Sequence, residues 1–387
     1  LARFIFLHSH PIQYLAPLYA YLTSQGIDSE VWYCSGHGLK GEMDKEFKTN
    51  VKWDVELLKG YRYEILKNNG TKDGIYSFFG LLNFGLFHRI KNLERNDILV
   101  LHGWNYASYI LAFLTAVLTR KKIALRTETP LNQESSKTGL KHFLRRVFVK
   151  RFFLKAFDYV FYMGNQNKAF YLSNGVPEDR LYFAPYCVDN KRFQKSFHES
   201  DKTKLRSKYG ISDDKHVVLY SGKLILKKRP IDLLKVAQNL VDDNLFFVFM
   251  GDGELRSKME DFISVNNLEN VLITGFVNQS KVVDYYALSD AFVMCSGAGE
   301  TWGLSTNEAL NFGLPIVVSE TSGNASDLVR KGQNGFTFKE GDIPDMASKI
   351  MAALDLHKKS PDKLKEKCFE VISKYSYSTI ANTLKDL

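Results

Sequence analysis

Two carboxylates, Glu300 and Glu308, flank a run of residues suited to binding polar ligands. Ahead of them, the apolar run Ala291–Met294 leads into the flexible loop Ser296-Gly297-Ala298-Gly299. Between them, Trp302-Gly303-Leu304-Ser305 opens a helix. The first N–H groups of any helix lack partners within it, so this start suits a phosphate or a sugar hydroxyl. Glu308 falls roughly one turn into the helix, where a carboxylate can take two ribose hydroxyls. Hydrogen bonds to a charged group contribute about 1.5–3 kcal/mol each. Glu300, in the preceding loop, is placed for the sugar itself. The plainer alternative is two surface carboxylates favoured by the helix dipole.

Two further segments offer matching chemistry. In Tyr220-Ser221-Gly222-Lys223-Leu224-Ile225-Leu226-Lys227-Lys228-Arg229-Pro230, a strand ends at Ser221-Gly222 and four basic residues follow. Cations just past a strand end can neutralise a diphosphate leaving group, with Lys223 and Lys228 as candidates. A solvated basic loop is the other reading. In Met250-Gly251-Asp252-Gly253-Glu254, the glycine pair follows an apolar run and precedes a polar helix. Such a turn lets a phosphate reach backbone N–H groups, or is simply tight.

The elements that must position these residues alternate. Strands are expected at 4–7, 30–34, 97–101, 122–126 and 159–162, with helices at 11–25 (opened by Pro11), 105–119 and 140–156. Residues 36–60 read as a long loop. Further on, strands are expected at 216–221, 245–250, 270–274, 291–294 and 315–319, with helices at 230–241, 254–266, 279–288 and 304–313. Alternation of this kind implies parallel sheets with helices on both faces. At 387 residues, two domains are the natural expectation. The polar stretch 188–213 is the expected junction. The fold class is α/β: two Rossmann-like, doubly wound domains, 1–195 and 205–375, facing across a cleft, with a last helix at 376–387 returning to the first. Ligands of such folds sit at strand C-terminal ends.

Residues 216–340 resemble the C-terminal domain of family-4 retaining glycosyltransferases, which have the GT-B fold. The strings that carry the resemblance are E-TWGLSTN-EALNFGLPIVVSETSG, FMGDGEL, TGFV and SGKLILKKRP. The resemblance implies that Glu300 contacts the donor sugar and Glu308 the ribose. It assigns Trp302, Gly303, Leu304 and Ser305 to sugar and phosphate through backbone N–H groups, and Lys223 and Lys228 to the diphosphate. Gly222, Gly251 and Gly253 complete the donor side. Lys223 stands where Arg is commoner, which keeps the charge and loses the bidentate fork. Arg229-Pro230 stands where a Gly is usual. The N-terminal half is similar to one branch of these enzymes through His10-Pro11-Ile12-Gln13-Tyr14, Trp53-Asp54 with Gly60-Tyr61, an Arg-x-Glu at Arg126-Thr127-Glu128, and Val188-Asp189-Asn190, which makes His10, Gln13 and Arg126 acceptor-side candidates. Many relatives carry a His near the reacting sugar where this chain has Glu128. Glu128, Arg126 or His102 can take that role, or each can be a structural hydrogen-bonder.

The resemblance implies a nucleotide-diphospho-sugar, UDP- or GDP-linked, as co-substrate, no other cofactor, and a glycan or lipid-linked acceptor in cell-surface polysaccharide synthesis. No Asp-x-Asp or metal-ligand spacing of His occurs, so no metal is expected. A nucleotide-sugar epimerase or hydrolase of the same fold and a non-catalytic scaffold are the rivals. A dehydrogenase is disfavoured, because no Gly-x-Gly-x-x-Gly follows the first strand.

The net charge of +9 is uneven. Residues 1–200 hold 28 Lys and Arg against 18 Asp and Glu, or +10, which leaves −1 for the remainder. No acid falls between Ser135 and Phe157, while Lys137, Lys141, Arg145, Arg146, Lys150, Arg151 and Lys155 alternate with aromatic and aliphatic residues. A basic, aromatic helix suits an anionic membrane surface, with Tyr76–Leu82 assisting, or is a solvated domain face. No nucleic-acid motif is present. The four cysteines are widely spaced, and no apolar span approaches the roughly 20 residues of a membrane helix. A reduced, cytoplasmic protein, peripheral on the inner face of the membrane, is the expectation.

Overall fold

The computed structural model describes residues 2–44, 49–135, 139, 153–240 and 244–387. The chain folds into two compact units. One is Leu1–Glu42, Val51–Pro185 and Tyr377–Leu387; the other is Met43–Asn50 and Tyr186–Ser376.

In the first half of the chain the strands are β1 (Arg3–His8), β2 (Ser29–Tyr33), β3 (Glu42–Asp44), β4 (Thr49–Val51), β5 (Arg62–Ile65), β6 (Asp97–Leu101), β7 (Lys122–Arg126), β8 (Tyr159–Tyr162) and β9 (Leu181–Phe183). Among the described residues, seven of them form one sheet in the order β5-β2-β1-β6-β7-β8-β9, while β3 and β4 pair separately. Phe4 lies opposite Ser29 on one side and Ile98 on the other, in parallel register. β6 is buried at all five positions. Its unbroken apolar run Ile98–Leu101 is what a strand covered on both faces requires.

The second unit repeats the theme with β10 (His216–Ser221), β11 (Leu245–Met250), β12 (Val271–Gly275), β13 (Ala291–Met294), β14 (Ile316–Ser319) and β15 (Gly335–Phe338). Their order is β12-β11-β10-β13-β14-β15, again parallel. Both sheets are Rossmann-like, and each reverses its winding once. The reversal falls between β1 and β6 in the first unit and between β10 and β13 in the second. In open parallel sheets, ligands collect outside the strand ends at that point.

Several local expectations change. The first helix runs Ala16–Ser24 with Pro17 in its first turn, so Pro17 starts it and Pro11 does not. Leu15 and Ala16 N–H groups donate to Ile12 O, so residues 12–16 turn before the helix begins. The long loop 36–60 contains the β3–β4 ribbon. The polar stretch 188–213 is two helices, Asn190–Glu199 and Lys202–Lys208, that belong to the second unit. Caps set the starts of these helices: Asp189 accepts from Arg192 N–H and Asp201 from Lys204 N–H. The helix expected at 140–156 and its basic residues up to Arg151 lie outside the described residues.

The last helix, Tyr377–Lys385, lies with the first unit. Its Thr383 hydroxyl donates to Phe183 O (2.6 Å), and Tyr377 packs on Tyr21. Among the described residues, no helix is long and apolar enough to cross a membrane.

Candidate functional site

Within the second unit, the loops after β10 and β13 flank the reversal of the sheet, and they are stitched together. Gly297 N–H donates to Lys227 O (2.9 Å). The Cys295 thiol donates to Lys228 O and Arg229 O (both 3.3 Å), and burial pushes that thiol up to about 12. Gly323 N–H, after β14, donates to Glu300 O (3.0 Å). A Cβ at Gly323 would lie 1.9 Å from Thr301 O, so that close approach needs glycine. This clamp holds Glu300 with its carboxylate buried and ion-paired to Lys228. Two residues separated by 71 others in sequence thus form one charged pair. Arg229, in left-handed backbone (φ 50°), ends this loop and pairs with Asp232 (2.7 Å) and Glu340 (3.3 Å). The usual glycine would adopt that conformation without strain; here the ion pairs help hold it.

In the segment from Trp302 to Glu308, Trp302 and Thr306–Glu308 are buried. The indole N–H of Trp302 donates to Asn307 Oδ1 (2.9 Å), and Asn307 Nδ2 donates to Tyr186 O (3.1 Å). Gly303 has φ 88°, and a Cβ there would meet Met294 Sδ at 2.5 Å. Its left-handed turn lets the chain enter the helix Leu304–Leu310 directly over β13. Glu308 is 2% exposed, and Tyr286 donates to its Oε2 (2.7 Å). Leu304 and Ser305, at the helix start, are half-buried.

The remaining residues expected on this side also converge. Lys223 follows Gly222 and is ion-paired with Asp44 (3.2 Å). Gly251 and Gly253 serve close packing between the loops after β10 and β11. A Cβ at Gly251 would lie 1.9 Å from Gly222 O, and one at Gly253 would lie 2.6 Å from Leu224 O. Gly222 N–H donates to Met250 O (3.0 Å) and Leu224 N–H to Asp252 O (2.9 Å), so this contact fixes where Lys223 begins. The Gly253 N–H donates to Asp252 Oδ1 (2.8 Å). Here the glycines meet a packing requirement that exists without any ligand.

In the first unit, the loops after β1 and β6 flank the other reversal. His8, at the end of β1, stacks on His102 with ring centroids 3.5 Å apart and is hydrogen-bonded to the Tyr19 hydroxyl. His102 Nδ1 meets Leu7 O at 3.2 Å. Burial, and then the neighbouring Arg126 cation, hold His102 well below the usual histidine value. Burial and the neighbouring His102, Arg126 and His10 do the same for His8. Arg126 is buried, donates to Pro185 O (3.3 Å), and lines a cavity of about 20 Å³ with His102, Tyr19 and aliphatic residues of the first and last helices. His10 is bonded to Ser9 (2.9 Å) and meets the His37 ring edge-on. Gln13 sits half-buried in the turn that follows, and Glu128 is exposed just past β7.

Sequence reading passed over Asp44, Tyr286, Asn307 and His8, all of which touch expected site residues, and Tyr19, which is bonded to His8. Asn307 stood inside the quoted string, and its spacing from Trp302 gave a usable signal. Asp44 and Tyr286 gave none, because only the folded chain brings them near. Among the described residues, no group of three or more His, Cys, Asp or Glu could hold a metal ion.

The glycosyl transferases group 1 family model matches residues 201–370, which span β10 to β15 and every second-unit residue of this site except Asp44 and Tyr186. Residues 201–370 thus resemble the glycosyl transferases of group 1. The sulfoquinovosyl transferase SQD2 of Arabidopsis thaliana is 29% identical over 170 residues, covering 43% of this chain and 32% of that protein. The alpha-galactosylglucosyldiacylglycerol synthase of Streptococcus pneumoniae is 22% identical over 232 residues, 58% of this chain and 60% of that one. The matches to the first curated relatives span a third to a half of those proteins' length. Likeness of fold extends further than the matched residues. Anabaena HepE, crystallised with UDP-glucose, superimposes with a TM-score of 0.73 at 16% identity, covering 100% of this chain and 99% of that one. Both units of the chain therefore share the fold of GT-B glycosyltransferases.

Proposed function

We propose that the chain is a retaining glycosyltransferase that moves a sugar from a nucleotide-diphospho-sugar to a glycan or lipid-linked acceptor in cell-surface polysaccharide synthesis. The observation that carries this reading is the ion pair of the buried Glu300 with the half-buried Lys228, held beside the helix Leu304–Leu310 whose Glu308 is oriented by Tyr286. A uridine donor is favoured by the UDP and UDP-glucose bound to HepE, and a lipid-linked acceptor by the streptococcal relative, an alpha-galactosylglucosyldiacylglycerol synthase.

In this reading Glu308 takes the ribose hydroxyls and Glu300 the sugar hydroxyls. Lys223 and Lys228 neutralise the departing diphosphate without a metal, together with N–H groups at Leu304 and Ser305. The acceptor oxygen bonds to the anomeric carbon on the face from which the phosphate oxygen leaves. Its proton passes to the departing phosphate, so no protein nucleophile is needed. His10, Gln13, Arg126, His102 and Glu128 belong to the acceptor side.

A panel of UDP- and GDP-sugars, read by thermal shift and product mass, tests the proposal. The expected result is a shift with one nucleotide series and a product heavier by one sugar. Absence of any shift removes the donor site. Release of free sugar with an acceptor present would make the enzyme a hydrolase.

A further inference from the structure

Residues 68–82 form a surface connection that is tied to itself. Asn68 Oδ1 accepts from the Gly70 and Leu82 N–H groups (3.0 and 2.9 Å), and its Nδ2 donates to Gly80 O (2.8 Å). Asn69 N–H donates to Leu82 O (2.7 Å) and Thr71 N–H to Phe79 O (3.0 Å). Two short turns, Gly74–Tyr76 and Phe78–Gly80, press backbone on backbone. A Cβ on Gly80 would lie 1.8 Å from Gly74 O, and one on Gly70 would lie 2.3 Å from Gly80 O. The loop is a built scaffold.

What it presents to water is apolar. Phe78 and Phe79 meet edge-to-face at 4.9 Å and are 42% and 62% exposed. Phe84 and Phe87, on or beside the next helix Gly85–Lys91, are 63% and 51% exposed. Four large rings are left in water within ten residues, while Leu81, Leu86 and Ile90 between and beside them are fully buried. Exposed apolar clusters of this kind mark interaction surfaces.

The charges beside the rings indicate which surface. From Leu66 to Leu93 the charged residues are Lys67, Lys72, Arg89 and Lys91 against Asp73 alone. Arg89 is paired with Glu64, while Lys67, Lys72 and Lys91 are exposed. Protein interfaces draw on Tyr, Trp, Met and Arg as well as Phe, and are depleted in Lys. Phenylalanine tips flanked by lysines match a lipid interface, with rings at the acyl boundary and ammonium groups on the phosphates. We propose that the loop 68–82 and the helix Gly85–Lys91 dock the chain on an anionic lipid bilayer, with Phe78, Phe79, Phe84 and Phe87 entering the headgroup region. The proposed surface uses no residue of the basic stretch 137–155 and does not depend on the transfer chemistry. Ring contacts from Tyr76 to His37 (5.8 Å) and from His37 to His10 (5.5 Å) run from the loop to the turn after β1.

Co-sedimentation of the full chain with phosphatidylcholine vesicles, with and without phosphatidylglycerol, tests the proposal. The wild type should partition onto the anionic vesicles and weaken with salt. Phe78→Ser combined with Phe79→Ser should lower that partition roughly tenfold or more, with the thermal midpoint unchanged because both rings are exposed. The variant Phe84→Ser, Phe87→Ser should act in the same direction. Wild-type protein that ignores anionic vesicles overturns the proposal, as does a Phe78/Phe79 variant that binds like the wild type. So does binding lost only on neutralising Lys141 and Arg145. A wild-type dimer that the Phe78/Phe79 variant converts to monomer would show that a second copy covers the surface, which also overturns it.

Discussion

Asp44→Asn is expected to tighten nucleoside-diphosphate binding. The Lys223 ammonium lies 3.2 and 3.3 Å from the two Asp44 oxygens, so a carboxylate now occupies the cation proposed to receive the diphosphate. At 3.2 Å and an effective dielectric of 20, the bare attraction is about 5 kcal/mol. Both side chains are about a quarter exposed, at 24% and 28%, so solvent removes most of it. Partly exposed pairs of this kind contribute about 0.2–1 kcal/mol net. A phosphate that replaces Asp44 must first give back that amount. Removing the Asp44 charge should therefore lower the Kd for UDP by up to roughly fivefold. Calorimetric titration with UDP at low and high salt measures it, with uridine as the control that should not respond. In a Lys223→Met background the Asp44→Asn effect should vanish. If Asp44→Asn weakens UDP binding, the carboxylate orients Lys223 and does not compete for it. If Lys223→Met binds UDP like the wild type, the phosphate role of Lys223 itself is refuted.

Glu308→Ala should raise the Kd for UDP by roughly tenfold or more, from the loss of charged hydrogen bonds worth about 1.5–3 kcal/mol each; an unchanged Kd would remove the ribose role. Gly251→Ala should cost about 1–3 kcal/mol in chemical denaturation, because the new methyl would lie 1.9 Å from Gly222 O and one loop must shift. A full-stability variant would show that the two loops yield freely. Acid should destabilise the first unit. His8 and His102 are held neutral in the folded chain, mainly by burial. The unfolded chain takes up those protons near pH 6.5, so stability is level above that pH and falls below it. The slope approaches about 1.4 kcal/mol per pH unit for each histidine until its folded value is reached. Denaturation midpoints at pH 7.5 and 5.5 measure the slope, and His102→Gln should reduce it; a slope that His102→Gln leaves unchanged contradicts the assignment.

The central strands were readable because burial on both faces demands unbroken apolar runs, as in Ile98–Leu101 and Phe246–Phe249. Three strands that escaped, β5, β9 and β15, stand at sheet edges. β5 illustrates the cause: its sequence, Arg-Tyr-Glu-Ile, is largely exposed and carries no apolar run. The helices of 190–208 escaped because they are short and mostly polar: in the first, Phe193 and Phe197 alone, one turn apart, pack on Phe312, and aspartate caps mark both starts. The site divides along similar lines. Glu300, Glu308, Lys223 and Lys228 were visible because charge next to glycine and a helix start is unusual in a buried segment. The partners that orient them, Asp44 and Tyr286, come from distant elements and look ordinary in sequence. His8 is a parallel case. Read along the chain it belongs to a strand, and only its stacking on His102 shows that two histidines share one buried place.

The seams joining the loops after β10, β13 and β14 bear on how donor preference could be redesigned. Residues 296–302 look like a cassette that could be exchanged with a relative's. Their backbone, however, donates to Lys227 O and accepts from Gly323 N–H, and Cys295 binds the carbonyls of Lys228 and Arg229. The unit of exchange is therefore three separated stretches, 227–229, 295–303 and 321–324. A graft of the middle stretch alone would carry the new side chains into a mismatched frame. Libraries that vary one stretch at a time would sample mostly broken combinations.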